Sequence, residues 1–136
     1  MTNTLHKPRI LVIEDQPDVR NLLMLALTRA GWDVATTQTG LEGLQLAETG
    51  KFALIASDVD LPDINGFEIC SRLKNHPELR HTPVVLVTGR LSEEDVRRGR
   101  EVGAADYITK PFDLLSFISR LFSHIKKTTE CRRMPT

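Results

Sequence analysis

Polar side chains that could act together follow four short apolar segments of the sequence. Glu14 and Asp15 follow the first of these segments, Asp58 and Thr88 end two others, and Lys110 follows a fourth. Carboxylates that lie close together repel each other and raise each other's pKa unless a divalent cation lies among them. A hard cation that binds oxygen and keeps part of its hydration shell suits such a half-open site. The acids therefore predict a Mg2+ site, provided that the fold brings these segment ends together.

The same side chains would also make a phosphoryl-transfer site. That reaction needs an in-line nucleophile, which the Asp58 carboxylate could supply, and positive charge near the equatorial oxygens. Each residue taken alone has a simpler explanation, because strand-end Asp and Thr residues often cap turns and a lone Lys before Pro is often a surface residue. Only their convergence at one place would favour chemistry over these structural roles.

The elements that must position these residues alternate between strand and helix. Short apolar runs bounded by turn residues are typical of strands that are buried on both faces of a parallel sheet. The predicted strands are Ile10–Ile13, Trp32–Thr37, Phe52–Ser57, Pro83–Thr88 and Ala105–Thr109. Five alternating units imply one doubly wound α/β domain with helices on both faces of a five-stranded parallel sheet. Open parallel sheets bind ligands outside the carboxyl ends of their strands, which is where Asp58 is expected.

The first two helices have clear start and stop signals. Pro17 suits the first helical position and Gly31 ends the first helix, while the second is predicted over Leu41–Thr49 with Gly50 as its stop. The residues predicted to face inward are Val19, Leu22, Leu23, Ala26 and Ala30 in the first helix, and Leu41, Leu44 and Ala47 in the second.

The last three helices differ in how firmly the sequence anchors them. The fourth begins at Ser92, whose hydroxyl can cap free N–H groups, but it has few apolar anchors, chiefly Val96 and Val102, with Gly99 in its interior. We therefore expect it to be loosely held. The fifth, which follows Asp113, has a strongly amphipathic pattern. The inward residues are Phe67, Cys70 and Leu73 in the third helix, and Leu114, Phe117, Ile118, Leu121, Phe122 and Ile125 in the fifth.

Size and charge narrow the classes of function. The chain of 136 residues has room for one domain, and its 18 basic and 18 acidic side chains cancel, which argues against direct nucleic-acid binding. The longest apolar run, Leu22–Leu27, is too short for a membrane span, and the N-terminus has no apolar signal region. Two distant cysteines, Cys70 and Cys131, do not form a disulfide framework. We therefore expect a cytoplasmic protein with no membrane partner.

The order of the polar residues resembles a known family. The matching motifs are Glu14-Asp15 after the first strand, Asp58-x-x-Leu61-Pro62-x-x-x-Gly66 after the third, Thr88 after the fourth and Lys110-Pro111 after the fifth. Together they are similar to the receiver (CheY-like) domain of two-component response regulators, from about Arg9 to Lys126. The resemblance implies the flavodoxin-like strand order 2-1-3-4-5, for which a member of this family is a standard example. It also implies a tail over residues 1–8, a receiver domain over 9–127 and a tail over 128–136.

The resemblance assigns a role to each residue of the predicted metal and phosphoryl site. Asp58 would be the phosphoacceptor, and Glu14 and Asp15 would hold Mg2+, with the main-chain carbonyl of Asp60 completing the protein's ligands. Lys110 would pair with the phosphoryl group.

Three further features of the family match this sequence. The Thr88 hydroxyl would take another oxygen of the phosphoryl group, and Tyr107 corresponds to the family's switch aromatic. The peptide bond before Pro111 corresponds to the family's cis bond, which would aim Lys110 inward.

The implied function is a phosphorylation-controlled signalling receiver rather than an enzyme acting on other substrates. It would accept a phosphoryl group on Asp58 from a histidine kinase or histidine phosphotransfer protein, and promote only its own phosphorylation and dephosphorylation. The switch would alter a face made by the fourth helix, fifth strand and fifth helix, which would bind a downstream effector or a second copy of the chain.

Two alternatives remain open from the residues alone. Asp58-Val59-Asp60 imitates the two-aspartate motif of Mg2+-dependent phosphohydrolases of the haloacid dehalogenase type, although that family carries the motif after its first strand. A receiver that has lost phosphorylation and acts only as a scaffold is the other alternative, but every required group is present.

Overall fold

The computed structural model of the protein describes residues 7–133, with side chains as far as Ile125. Residues 1–6 of the predicted N-terminal tail, residues 134–136 and the Cys131 side chain lie outside this part. The elements are β1 (Arg9–Ile13), α1 (Pro17–Arg29), β2 (Asp33–Thr37), α2 (Gly40–Gly50), β3 (Leu54–Asp58), α3 (Gly66–Lys74), β4 (Val84–Thr88), α4 (Glu93–Glu101), β5 (Asp106–Thr109) and α5 (Leu114–Arg133). The predicted alternation of five strands and five helices is therefore confirmed.

The strands form one parallel sheet in the order β2-β1-β3-β4-β5, as the family resemblance implied. The register sets Ile13 opposite Ser57, and Thr88 opposite Thr109. Because the strands are parallel and their ends are in step, the residues that follow them meet at one edge of the sheet. This register is what brings together the polar residues that are far apart in the sequence.

Side chains alternate between two cores, one on each face of the sheet. In β1, Ile10 and Val12 pack with residues of α1 and α5, whereas Leu11 and Ile13 pack with residues of α2 and α3. Strands that are buried on both faces in this way need continuous apolar runs, which explains the pattern in the sequence. Burial of both cores removes apolar surface from water and supplies the main driving force for holding the strand ends in place.

Four apolar residues that we predicted to face inward are instead exposed, and one of them is Ala30 at the C-cap of α1. Leu22 in α1, Leu41 in α2 and Phe122 in α5 have exposed fractions of 49%, 52% and 54%. The buried side of α2 consists of small residues, Gly43 and Ala47 among them, so Leu41 falls outside the contact. In α1 the buried pair is Leu23 and Leu27, which leaves Leu22 outside it.

The Phe122 ring has a partner at the rim of the domain. It stacks on Trp32 with a centroid separation of 6.4 Å, rather than entering the core with Phe117 and Leu121. The position of Phe122 was predicted from helical spacing alone, which cannot tell the centre of a buried stripe from its edge.

Helix ends confirm most of the predicted signals and correct others. Pro17 opens α1, Ser92 caps α4, and Gly31 follows α1 with a positive φ of 102°. Gly50 is the last residue of α2 rather than its stop, and Lys51 takes the left-handed conformation after it.

The C-terminal helix is longer than expected. Helix α5 continues to Arg133, past the predicted domain boundary at residue 127. Among the described residues, no helix is both long and apolar enough to cross a membrane.

Candidate functional site

An ion-paired cluster lies at the carboxyl ends of β1, β3 and β5. The Lys110 ammonium is 2.9 Å from Glu14 Oε1 and 3.0 Å from Asp58 Oδ2, so it donates to both carboxylates at once. Glu14 is only 2% exposed and Asp58 is buried beside it. These contacts confirm that the fold brings together residues 96 positions apart in the chain. They also show that the strand-end acids are not simply turn caps.

Both oxygens of the Asp58 carboxylate are held. Oδ2 accepts from Lys110, and Oδ1 accepts from the backbone N–H of Asp60 at 3.1 Å. The loop after β3 passes close to the strand end, because Gly66 N–H donates to the Val59 carbonyl at 2.9 Å. A Cβ added at Gly66 would lie 2.5 Å from the Asp58 carbonyl oxygen, so only glycine permits this approach. The glycine of the motif therefore helps to orient Asp58.

The Asn65-Gly66 pair, which in sequence alone could be no more than a turn, lies where the loop after β3 meets α3. In the structure, Asn65 is the N-cap of α3, and its side chain accepts from the Glu68 N–H at 2.9 Å. The loop that begins at Asp58 thus ends in a capped helix.

The carboxylates fit a divalent metal ion. Glu14, Asp15 and Asp58 each offer an oxygen, and these atoms all lie within 4.8 Å of one another. Glu14 and Asp58 are buried whereas Asp15 is exposed, so the cluster opens to solvent on one side. Three carboxylates against one ammonium leave net negative charge, and hard oxygen donors with room for water are what Mg2+ prefers. The Asp60 carbonyl stays a predicted ligand.

Burial and pairing act in opposite directions on these groups. Burial raises the pKa of Glu14, although the hydrogen bond from Lys110 partly offsets that effect. Burial alone would lower the pKa of Lys110, but its hydrogen bonds to Glu14 and Asp58 raise it instead. Lys110 therefore keeps its positive charge and could form a charge-assisted hydrogen bond with a phosphoryl group on Asp58.

A chain of hydrogen bonds runs from Thr88 to Tyr107. The buried Thr88 Oγ1 accepts from the Arg90 N–H at 3.2 Å, and the Arg90 carbonyl accepts from the Tyr107 hydroxyl at 2.9 Å. The Arg90 guanidinium donates to Asp60 Oδ1 at 2.7 and 2.9 Å, which closes the link back to the loop after β3. The structure thus connects the two predicted switch residues through the segment between β4 and α4.

Two residues beside the site were missed by the sequence analysis. Arg20 of α1 donates to the backbone carbonyls of Glu14 and Asp15 at 3.1 and 3.3 Å, and so holds the turn that carries both acids. Asp63 accepts from backbone N–H groups of α2. An arginine one turn into the helix after the acids was a usable signal for the first. Nothing local marked the bonds of the second to α2, because Gly40 and Leu41 are 23 and 22 residues away.

Comparison with protein families gives a match over most of the chain. Residues 10–122 match the response regulator receiver domain. One curated relative is the transcriptional regulatory protein AfsQ1 of Streptomyces coelicolor, which is 44% identical over 104 residues, 76% of this chain and 45% of the relative. The chain spans about half the length of the curated relatives it matches.

Solved structures share the fold across almost their whole length. The chemotaxis response regulator CheY4 of Vibrio cholerae has a TM-score of 0.83 at 28% identity, covering 88% of this chain and 99% of that one. The receiver domain of the sensor histidine kinase PA1611 of Pseudomonas aeruginosa, with magnesium in its active-site cleft, has a TM-score of 0.82 at 23% identity and covers 89% and 99%. The sequence match and the fold agree, and the chain belongs to the response regulator receiver domain family of two-component systems.

Proposed function

We propose that this receiver domain accepts a phosphoryl group on Asp58 and that the modification changes the surface it offers to a partner. The observation that carries the proposal is the bridge from Lys110 to Glu14 and Asp58. A buried carboxylate paired with a lysine and flanked by two more acids has the nucleophile, the metal ligands and the positive group that phosphoryl transfer needs.

In the proposed reaction an Asp58 carboxylate oxygen attacks the phosphorus atom of the donor. A bond forms between that oxygen and phosphorus, the bond from phosphorus to the donor's nitrogen or oxygen breaks, and the donor leaves with the electron pair. Mg2+ held by Glu14 and Asp15, together with the Asp58 oxygen and the Asp60 carbonyl, would neutralise charge on the phosphoryl oxygens. Lys110 and the Thr88 hydroxyl would contact the remaining oxygens.

The proposed donor is a histidine kinase or a histidine phosphotransfer protein, and the proposed location is the cytoplasm. The receiver fold itself is proposed to make no nucleic-acid contact, since its charges balance. Any contact with DNA is therefore proposed to lie outside this fold. Neither the phosphohydrolase nor the scaffold alternative gains support from the family comparisons.

We expect a small phosphodonor such as acetyl phosphate, with Mg2+, to add one phosphoryl group to the protein. The product should be labile to base, because a carboxylate nucleophile gives an acyl phosphate. Intact-mass spectrometry before and after alkali would measure it. A phosphomonoester that does not act as a phosphodonor serves as the control, and its sustained multiple turnover would instead indicate a phosphohydrolase.

The hydrogen bonds from Thr88 to Tyr107 support a route for the signal. If Thr88 moves toward a phosphoryl oxygen, the Arg90 segment and the Tyr107 ring can rearrange with it. Helix α4 is weakly anchored, since Gly99 is its only buried residue within Glu93–Glu101. A weakly held element is easily shifted, and one phosphoryl group can move a population between states separated by only a few kcal/mol.

We therefore expect phosphorylation, or a beryllofluoride mimic, to alter hydrogen exchange most across roughly residues 91–122. Thr88→Ala and Tyr107→Ala should remove much of that change while labelling of Asp58 largely persists. Tyr107→Phe, which loses only the hydroxyl bonded to the Arg90 carbonyl, isolates that bond. Exchange changes confined to α1 and α2, or an unaltered response in Thr88→Ala, would contradict this route. The face made by α4, β5 and α5 is the proposed partner or dimer surface.

A further inference from the structure

The N-terminus of α2 is capped by side chains from two different parts of the chain. Thr39, the local N-cap, accepts from the Glu42 N–H at 3.2 Å. Asp63, which lies in the loop between β3 and α3, accepts from the Gly40 N–H through Oδ1 and from the Leu41 N–H through Oδ2, both at 2.8 Å. The first N–H groups of a helix have no acceptor inside the helix. The two oxygens of Asp63 therefore supply acceptors for two of these N–H groups in α2.

The Asp63 carboxylate also makes a hydrogen bond within its own loop. Asp63 Oδ1 accepts from the Ile64 N–H at 2.8 Å, in addition to its bonds with α2. A Cβ added at Gly40 would lie 2.6 Å from Ile64 Cγ1, which shows that the loop rests directly on the first turn of α2. Burial is the largest single effect on the pKa of Asp63 and would raise it. The hydrogen bonds from the N–H groups of Leu41, Gly40 and Ile64 together outweigh burial, so the pKa of Asp63 is lowered. Asp63 is therefore ionised at neutral pH and bonded across the gap.

This attachment lies in the middle of the loop that the site depends on. At one end of the loop, the Asp60 N–H bonds Asp58 Oδ1 and the Asp60 side chain pairs with Arg90. At the other end, Asn65 caps α3. Between these ends, Asp63 provides side-chain hydrogen bonds that join the loop to a neighbouring element.

We propose that Asp63 is a positioning residue for the metal site. By attaching the loop between β3 and α3 to α2, it holds the Asp60 backbone where the carbonyl can bind Mg2+ and the N–H can donate to Asp58. This inference rests on the proposed function of the site. Partners outside the ligand sphere that orient the ligands commonly affect metal affinity about 10-fold or more when they are removed. The effect is expected here although Asp63 does not belong to the acidic cluster itself.

The competing explanation is that Asp63 only stabilises α2. Thr39→Ala is the matched control, because it removes the other side-chain cap of the same helix without removing a bond to the loop. We expect Asp63→Ala and Thr39→Ala both to lower the urea midpoint of unfolding. Only Asp63→Ala should also raise the Kd for Mg2+, by about 10-fold, whereas Thr39→Ala should leave it within about twofold of the wild-type value.

A long-range charge effect must be separated from positioning. Asp63→Asn removes the charge but keeps one side-chain oxygen as an acceptor, so we expect its Kd for Mg2+ to fall between those of the wild type and Asp63→Ala. Attraction at a distance would be screened in about 0.5 M salt. A positioning effect should persist there.

The experiment is a Mg2+ titration of the three variants and the wild type, followed through the backbone amide resonances by NMR. The same spectra establish that each variant is folded, and the Asp60 amide reports the loop directly. If Asp63→Ala binds Mg2+ as tightly as the wild type, or if Thr39→Ala weakens binding as much, the inference is wrong while the proposed function stands. If the wild type shows no Mg2+-dependent shifts at all, the proposed metal site fails and the inference fails with it.

Discussion

Asp58→Ala should abolish the phosphoryl adduct completely, because it removes the carboxylate that we propose as the nucleophile. Lys110 and the backbone of its own loop hold the two oxygens of Asp58, and Lys110 and the Gln16 N–H hold those of Glu14 in the same way, so labelling has to distinguish the two acids. Glu14 pairs with the same lysine and Asp15 faces solvent, so either could be labelled if the assignment were wrong. Intact-mass spectrometry after treatment with acetyl phosphate and Mg2+ would record the adduct, and peptide mapping would locate it.

Two variants complete the Asp58 experiment. Asp58→Asn keeps the size of the side chain and should also remain unlabelled, with weaker Mg2+ binding because one anionic ligand is lost. Asp60→Asn is the matched control, because its side chain pairs with Arg90 rather than with the cluster. It should still be labelled at Asp58. A base-labile adduct that survives in Asp58→Ala would transfer the role of phosphoacceptor to another acid.

Lys110→Ala should have the second large effect, on stability as well as on signalling. Its ammonium, about 20% exposed on its side chain, is the cation between Glu14 and Asp58. Removing one partner of a buried ion pair lowers the free energy of unfolding by about 3 kcal/mol or more. Because Mg2+ can replace the missing positive charge, the loss should be largest without the metal and partly restored by it.

In the Lys110→Ala variant, phosphorylation of Asp58 should no longer produce the structural response. Asp58 keeps its nucleophilic oxygens, so we expect some phosphorylation to persist. The changes in hydrogen exchange across residues 91–122 should disappear, because the variant lacks the ammonium that would pair with the phosphoryl oxygen. Chemical denaturation with and without Mg2+, and exchange measured by mass spectrometry, would test both parts.

Lys74→Ala provides a matched control for the lysine at the site. Lys74 is also partly buried, but it donates to the backbone carbonyls of Arg80 and Thr82, and Thr82 precedes the start of β4, at the sheet edge opposite the acidic cluster. Its loss should reduce stability without any rescue by Mg2+ and without loss of the response. If Mg2+ stabilised the two variants equally, or if Lys110→Ala kept its full response, the proposed role of Lys110 would be wrong.

Local patterns in the sequence were sufficient to predict the elements and to select the residues for which we propose the chemistry. The apolar runs of β1, β3 and β4 could be recognised because strands buried on both faces must be apolar throughout. The rule that parallel strands present their carboxyl ends at one edge then brought Asp58, Thr88 and Lys110 into one predicted site. The family resemblance added the strand order, which alternation alone does not determine, and the structure confirms that order.

Contacts between distant loops could not be predicted in this way. The bonds of Asp63 to α2 and of Arg90 to Asp60 depend on the paths that the loops take after the strands end, and these paths follow from register and packing rather than from any local period. The exposure of Leu41 also follows from packing, because small residues such as Gly43 and Ala47 form the buried side of α2. The sequence by itself therefore determined which residues could perform phosphoryl chemistry and at which strand ends they lie, whereas only the tertiary structure decided which side chains hold them there, because those hydrogen bonds exist only once the separate βα units have packed together.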